Sequence, residues 1–246
     1  MTAEFSNVYD DERRAQAYAA LEFPGTYYLA YRDLPAILSE NVRGHDALDF
    51  GCGTGRSTRF LRGLGYDAVG VDIAEPMVAK ARERDPAGVY RVVAEGDLGR
   101  FEPARYDVIL SVFTFDNVPS LEVKAALFRD LRRLLRPEGT IVSLVSSPEI
   151  YVHEWASFST KDFPENRSAR SGDRVRIVML DVEDARPVED VVCSDEDYHN
   201  VYRRVGLEVI RTYRPLGRED EPYPWINETS VAPRTVYVLG TTDADH

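Results

Sequence analysis

The sequence predicts an α/β fold built on one largely parallel sheet, and three observations carry that expectation. A glycine-crowded turn, Gly51-Cys-Gly-Thr-Gly55, lies between an apolar run and a helical pattern. Strand-length apolar runs then alternate with helix-length segments over short connections. Three of those runs carry an acid at or near their ends: Asp49, Asp72 and Asp97.

Ala47, Leu48 and Phe50 form the first run, broken only by Asp49, and a helical pattern of Phe60, Leu61 and Leu64 follows the turn. Each glycine weakens regular structure unless the backbone bends sharply or something approaches it closely. Three in five positions therefore predict a small cofactor lying on the turn. A dinucleotide fingerprint needs its last glycine three places after the second, where this chain has Arg56. A phosphate loop ending in Gly-Lys-Ser/Thr is also absent. Cys52, inside the turn, is read as a small space-filling side chain, and with Cys193 it makes neither a disulfide framework nor a metal set.

The second strand, 68–71, ends in Asp72, about twenty residues past the turn, where an acid can accept both ribose hydroxyls of a nucleoside cofactor. NAD and adenosylmethionine share that logic, so Asp72 alone does not choose between them. A third strand over 89–94 leads into Glu95-Gly96-Asp97-Leu98. Ligands of open α/β sheets bind at the carboxyl ends of strands, where these acids cluster. The fourth strand, 106–112, is almost continuously apolar, as a central strand should be, and runs into Phe113-Thr-Phe-Asp116-Asn117. A helix over 121–136, closed by Pro137 and Gly139, and a fifth strand over 140–145 complete the simple alternation.

Before the glycine turn, residues 8–21 and 26–40 read as helices, the second interrupted at Pro35. After Ser147 the pattern changes. Residues 147–172 are rich in aromatics and turn formers, and 175–179 with 188–193 predict an antiparallel hairpin. A helix bearing Tyr198, Val201 and Tyr202, a strand at 207–213, a long connection over 214–234 containing Trp225, and a last strand at 235–239 follow.

The pattern Asp49-x-Gly51-x-Gly53-x-Gly55 resembles the first motif of the class I methyltransferases that use S-adenosylmethionine, and the strand-end acids extend the resemblance. The resemblance implies a Rossmann-like seven-stranded sheet in the order 3-2-1-4-5-7-6, with the last strand antiparallel between the fifth and sixth. It divides the chain into an N-terminal helical cover (1–40), a cofactor-binding core (41–146), a substrate cap inserted after strand five (147–194) and a C-terminal part of the core sheet (195–246). It implies S-adenosylmethionine as cofactor, held by Asp49, Gly51, Cys52, Gly53 and Gly55 in the turn and by Asp72, Ile73 and Met77 after the second strand. Gly96, Asp97 and Leu98 would meet the adenine, Asp97 through its amino group, since a carboxylate offers only acceptors. Tyr28 and Phe113 complete the expected cofactor set. Ala74 departs from the family pattern, where Ser or Pro is common, and weakens the expected helix cap.

The implied reaction is methyl transfer to a small-molecule acceptor, on O, N or C, and the aromatics of the cap and N-terminal helix suggest a flat or partly apolar one, such as an aromatic compound or a secondary metabolite. Tyr27, Asp116, Asn117, Trp155 and Trp225 are the expected substrate contacts, and His153 and Glu154 the expected proton acceptors. Another reaction using the same cofactor, or a non-catalytic ligand-binding protein on the same fold, remains open alongside it. A formal net charge of -12 argues against nucleic acid as partner, because phosphate binding is driven by Lys and Arg. No membrane-spanning run or apolar leader is visible, which makes the cytoplasm the expected compartment, and association with a second copy of the chain is left open.

Overall fold

The structure, a computed structural model, describes residues 24–93, 97–182 and 186–242. The expected helix over 8–21 and Gly96 lie outside the described residues. Two short helices come first, α1 (Gly25–Arg32) and α2 (Leu34–Asn41), with Pro35 in the first turn of the second. Asp33 stands at that junction without capping α2, because its carboxylate is taken by Arg32 at 2.8 Å.

The sheet is then laid down as β1 (Asp46–Phe50), α3 (Arg56–Gly63), β2 (Asp67–Asp72), α4 (Glu75–Arg84), β3 (Val89–Val92) and β4 (Tyr106–Val112). After α5 (Leu121–Leu134) come β5 (Leu135–Ser146) and, beyond the cap, α6 (Asp195–Arg204). The last two strands of the sheet are Leu207–Tyr213 and Arg234–Thr241. Between β5 and α6 the chain forms a second sheet from β6 (Phe158–Ser159), β7 (Arg174–Met179) and β8 (Val188–Val191), so the final pair are β9 and β10. The main sheet has seven strands in the order β3-β2-β1-β4-β5-β10-β9, with β10 antiparallel to both neighbours, as the resemblance implies.

The alternation of side chains along each strand builds the two sides of the core. On β4, Ile109 joins Leu48, Phe128, Leu131 and Tyr202 under α5 and α6. Val108 and Leu110 point the other way, to Leu34, Leu38 and Leu61. Phe115, just beyond β4, stacks on Phe128 with ring centroids 4.0 Å apart, fixing the β4 exit to α5. The fifth strand begins five residues earlier than expected because Leu135 already pairs with Tyr106 before the register shifts. Pro137 and Gly139 therefore sit within an irregular strand entry, where a Cβ on Gly139 would meet the Arg136 and Tyr106 carbonyl oxygens at 2.9 and 3.1 Å.

The cap has its own apolar core of Tyr27, Trp155, Phe158, Val175, Ile177 and Met179, so α1 belongs to it as much as to the sheet. One buried carboxylate ties these parts together. Glu228, in the connection between β9 and β10, accepts from Thr26 Oγ1 and Ala156 N through Oε1, both at 2.7 Å. Its Oε2 accepts from Ile226 N and Asn227 N at 2.8 and 3.1 Å.

Candidate functional site

The glycine turn has the backbone the sequence asks for. Gly51, Gly53 and Gly55 adopt φ of 77°, 51° and 79°, in the left-handed region that costs other residues steric strain. What approaches them differs from one to the next. A Cβ on Gly51 would fall 2.0 Å from Thr114 Oγ1, which donates to Phe50 O at 2.9 Å, and one on Gly55 would fall 2.8 Å from the Tyr90 ring. Protein side chains thus fill two of the approaches assigned to a cofactor. Gly53 is different: a Cβ there would meet only the Met77 Cε at 3.3 Å, so its outer face is an open cradle.

Asp72 holds that cradle in shape. Its Oδ2 accepts from Gly53 N at 2.8 Å and its Oδ1 from Ala74 N at 2.9 Å, while it stays part-exposed at the end of β2. Each carboxylate oxygen can accept more than one hydrogen bond, so it can still receive hydroxyls from a ligand. Beside it Ile73 is 42% exposed, an apolar surface that the neighbouring chain leaves uncovered. Asp49 is fully buried and works inward: one oxygen accepts from Ser57 Oγ and Thr58 Oγ1, both at 2.6 Å, tying β1 to the start of α3. Burial pushes its carboxyl up to about 6 against those two hydrogen bonds. Burial likewise raises the Cys52 thiol, which suits a packing role. Asp97 is exposed and accepts from Gly99 N at 3.0 Å, and Leu98 behind it is buried.

A pocket opens where the tips of β4, β5 and β10 meet the cap. Counted out to its open mouth, the space is about 390 Å³. Tyr27, Phe113, Asp116 and Asn117, all expected near cofactor or substrate, line it together. Phe113 is in the left-handed region at φ 63°, and Tyr27 donates its hydroxyl to Met179 Sδ at 3.0 Å. Asp116 is buried, with Ser146 donating to it from N at 3.0 and 3.1 Å and from Oγ at 2.6 Å. Burial raises its carboxyl, opposed by the nearby Arg234.

Four polar pocket residues were not among the expected site residues: Ser146, Tyr151, Asp190 and Arg234. Arg234, the first residue of β10, lies opposite Ser146 in the register and donates to the Ser146 hydroxyl. Its guanidinium carbon sits 4.2 Å from the Phe113 ring centroid and 5.0 Å from that of Phe158. Asp190 shares strand parity with Val188, which places both toward the cap interior, a signal readable from period-two alternation. Tyr151 donates to Asp190 at 3.1 Å, and burial together with the Asp116 charge pushes the Asp190 carboxyl up to about 7.

The expected proton acceptors are not brought to this pocket. His153 lies on the cap surface, 3.1 Å from Glu149. Glu154 is consumed in holding the cap, accepting from Ser159 Oγ at 2.7 Å and Thr160 N at 2.6 Å, which keep its carboxyl below its usual range despite burial. Trp155 is wholly buried and donates to Ile150 O at 2.8 Å, so it packs the cap instead of facing a substrate. Trp225 and Tyr28 join an outer aromatic row through Tyr223, at centroid distances of 5.0 and 4.9 Å, away from the pocket lining. Among the described residues no group of His, Cys, Asp and Glu could hold a metal ion, and no helix is long and apolar enough to cross a membrane.

Comparison with known proteins bears on the same region. Residues 48–143 match the methyltransferase domain family. The chain is 30% identical over 105 residues to a ubiquinone biosynthesis O-methyltransferase of Methylococcus capsulatus, covering 41% of this chain and 43% of that one. It is 36% identical over 120 residues to the nocamycin O-methyltransferase of Saccharothrix syringae, covering 46% and 42%. The matches thus span less than half the length of these relatives. Among solved structures, the CcbJ methyltransferase of Streptomyces caelestis superposes with a TM-score of 0.66 over 96% of this chain and 98% of the other, at 20% identity. An S-adenosylmethionine-dependent methyltransferase from Mesorhizobium loti gives a TM-score of 0.60 over 85% and 97%, at 18% identity.

Proposed function

We propose that the chain is a class I S-adenosylmethionine-dependent methyltransferase that transfers a methyl group to a hydroxyl of a small-molecule acceptor, a reading supported by the methyltransferase-domain match over 48–143 and by the shared fold. The observation that carries this reading is adjacency: the glycine loop packs on Thr114 at Gly51, and the residue before Thr114, Phe113, lines the pocket under the cap. The names of the two curated relatives favour oxygen as the acceptor atom.

Gly53 and Asp72 fit the nucleoside of the cofactor, with the carboxylate receiving the ribose hydroxyls and the bare glycine face admitting the chain beyond. Ile73 and Met77 flank the adenine, and Asp97 at the end of the following segment receives its amino group. S-adenosylmethionine, when bound, supplies a methyl already activated by a sulfonium. The protein's part is to align the acceptor and keep water out. The cap does the second, since Tyr27, Phe158, Ile177 and Met179 present an apolar wall.

The test is release of S-adenosylhomocysteine from S-adenosylmethionine with a panel of phenols, quinols and aliphatic alcohols. Product appearing only with a hydroxylated acceptor supports the reading. Release with amines alone moves the reaction to nitrogen, and none at all, with the cofactor bound, removes it.

A further inference from the structure

The pocket under the cap contains two carboxylates, and they are not equivalent. Asp116 is saturated by Ser146, whose N–H reaches both its oxygens and whose hydroxyl donates to Oδ2. Asp190 takes one hydrogen bond, from Tyr151 to Oδ2, and among the described residues its other oxygen takes none. Both line the pocket. So does Arg234, which is 3% exposed and whose Nε has no hydrogen-bond partner among the described residues. A buried guanidinium with an unused donor, beside a carboxylate with an unused acceptor, is costly unless something polar enters between them.

From this geometry we propose that Asp190 is the general base of the reaction, taking the proton from an acceptor hydroxyl that enters the pocket, while Arg234 steadies the oxygen as it becomes anionic. This rests on the methyl-transfer reading above. As the O–H bond breaks, its proton passes to the free oxygen of Asp190. The acceptor oxygen forms its new bond to the methyl carbon, and the carbon–sulfur bond breaks with its electron pair staying on sulfur. Charges balance: a carboxylate and a sulfonium become a carboxylic acid and a neutral thioether.

The surroundings tune the base from several sides. Asp116, from the turn after β4, disfavours a second negative charge, while Arg234 from β10 and Lys124 from α5 favour it. Tyr151, from the turn after β5, donates to the ionised form. Burial dominates, and the carboxyl rises to about 7, near the value a general base needs to act at neutral pH. Lys124 is itself buried, donates to Phe115 O, and burial lowers its ammonium, so it is a fixed part of this wall.

Asp190→Asn keeps shape and the oxygen that accepts from Tyr151 but cannot take a proton. On the full chain, S-adenosylhomocysteine affinity by calorimetry should stay within about twofold of the parent, since the groups that act on Asp190 are Tyr151, Asp116, Arg234 and Lys124, none of them in the glycine loop, and this checks the fold. With any acceptor that the parent turns over, kcat should fall by about a hundredfold or more. The rise of kcat with pH near 7 should also disappear, whereas Asp190→Glu should restore a rising limb. A parent that turns over and an Asp190→Asn variant with unchanged kcat and pH profile overturn the base while leaving methyl transfer standing. A parent that binds cofactor but releases no S-adenosylhomocysteine with any acceptor overturns both.

Discussion

Glu228→Gln is the substitution that most sharply tests how the cap is held. The carboxylate is fully buried and accepts four hydrogen bonds, two per oxygen, from α1, the cap and its own connection. Glutamine has the same shape but only one acceptor oxygen, so its NH2 must face one pair of donors. If it turns toward Thr26 and Ala156, the Thr26 hydroxyl can rotate, since its oxygen already accepts from Ser157 N, but the Ala156 N–H is stranded. If it turns the other way, the Ile226 and Asn227 N–H groups are both stranded. A stranded buried donor costs about 1–3 kcal/mol and a hydrogen bond to a charged group contributes about 1.5–3. The better orientation therefore costs about 3 kcal/mol, or roughly 6–12 °C in melting temperature for a chain of this size. Thermal melts followed by circular dichroism read this directly, and Glu228→Ala, which strands all four partners, should fall further. Affinity for S-adenosylhomocysteine should hold in the glutamine variant, because the clasp does not touch the glycine loop. A glutamine variant melting within about 2 °C of the parent would refute the clasp.

Gly51→Ala adds a Cβ 2.0 Å from Thr114 Oγ1 at a φ of 77°, so it should cost about 2–4 kcal/mol and, by displacing Thr114, weaken cofactor binding, measurable by melts and calorimetry together. The pocket acids give a pH signature. Asp190 keeps in the folded state a proton that the unfolded chain releases near 3.8, so its share of stability is full below that value and is lost as pH rises through about 7. Asp190→Asn should therefore flatten the fall in melting temperature between pH 4 and 7, and a variant that keeps the parent's slope contradicts that assignment. Arg234→Met removes the cation beside the Phe113 and Phe158 rings and takes from Asp116 the positive charge that most opposes its burial. It should lower kcat with an acceptor while leaving cofactor affinity within about twofold, with the loss growing as pH rises and the pocket acids ionise.

The sheet was readable because its determinants are local. Apolar strand runs, glycine at left-handed positions and acids at strand ends each act within a few residues, and β1, β2 and β4 follow from them. Asp72 was legible for the same reason: its partners, Gly53 N and Ala74 N, flank the two ends of one βαβ connection. The contacts on Gly51 and Gly55 were not legible, because Thr114 and Tyr90 come from the turn after β4 and from β3, whose approach only the assembled sheet reveals. Asp190 and Arg234 were hidden by distance in sequence: they join Asp116 and Ser146 in the pocket from four separate elements. His153 and Glu154 drew attention as titratable residues among aromatics, yet the neighbouring chain turns one outward and saturates the other.

The central claim is that Gly53 and Asp72 shape a seat for an adenosine cofactor at the end of β2. Calorimetric titration of the chain and its Asp72→Ala variant with S-adenosylhomocysteine, and of the chain with NAD, tests it most directly. The parent should bind one S-adenosylhomocysteine and no NAD, and the variant should bind at least about tenfold more weakly, the equivalent of one lost hydrogen bond to a charged group. Equal affinity in the two proteins, or no heat with S-adenosylhomocysteine in the parent, would contradict it.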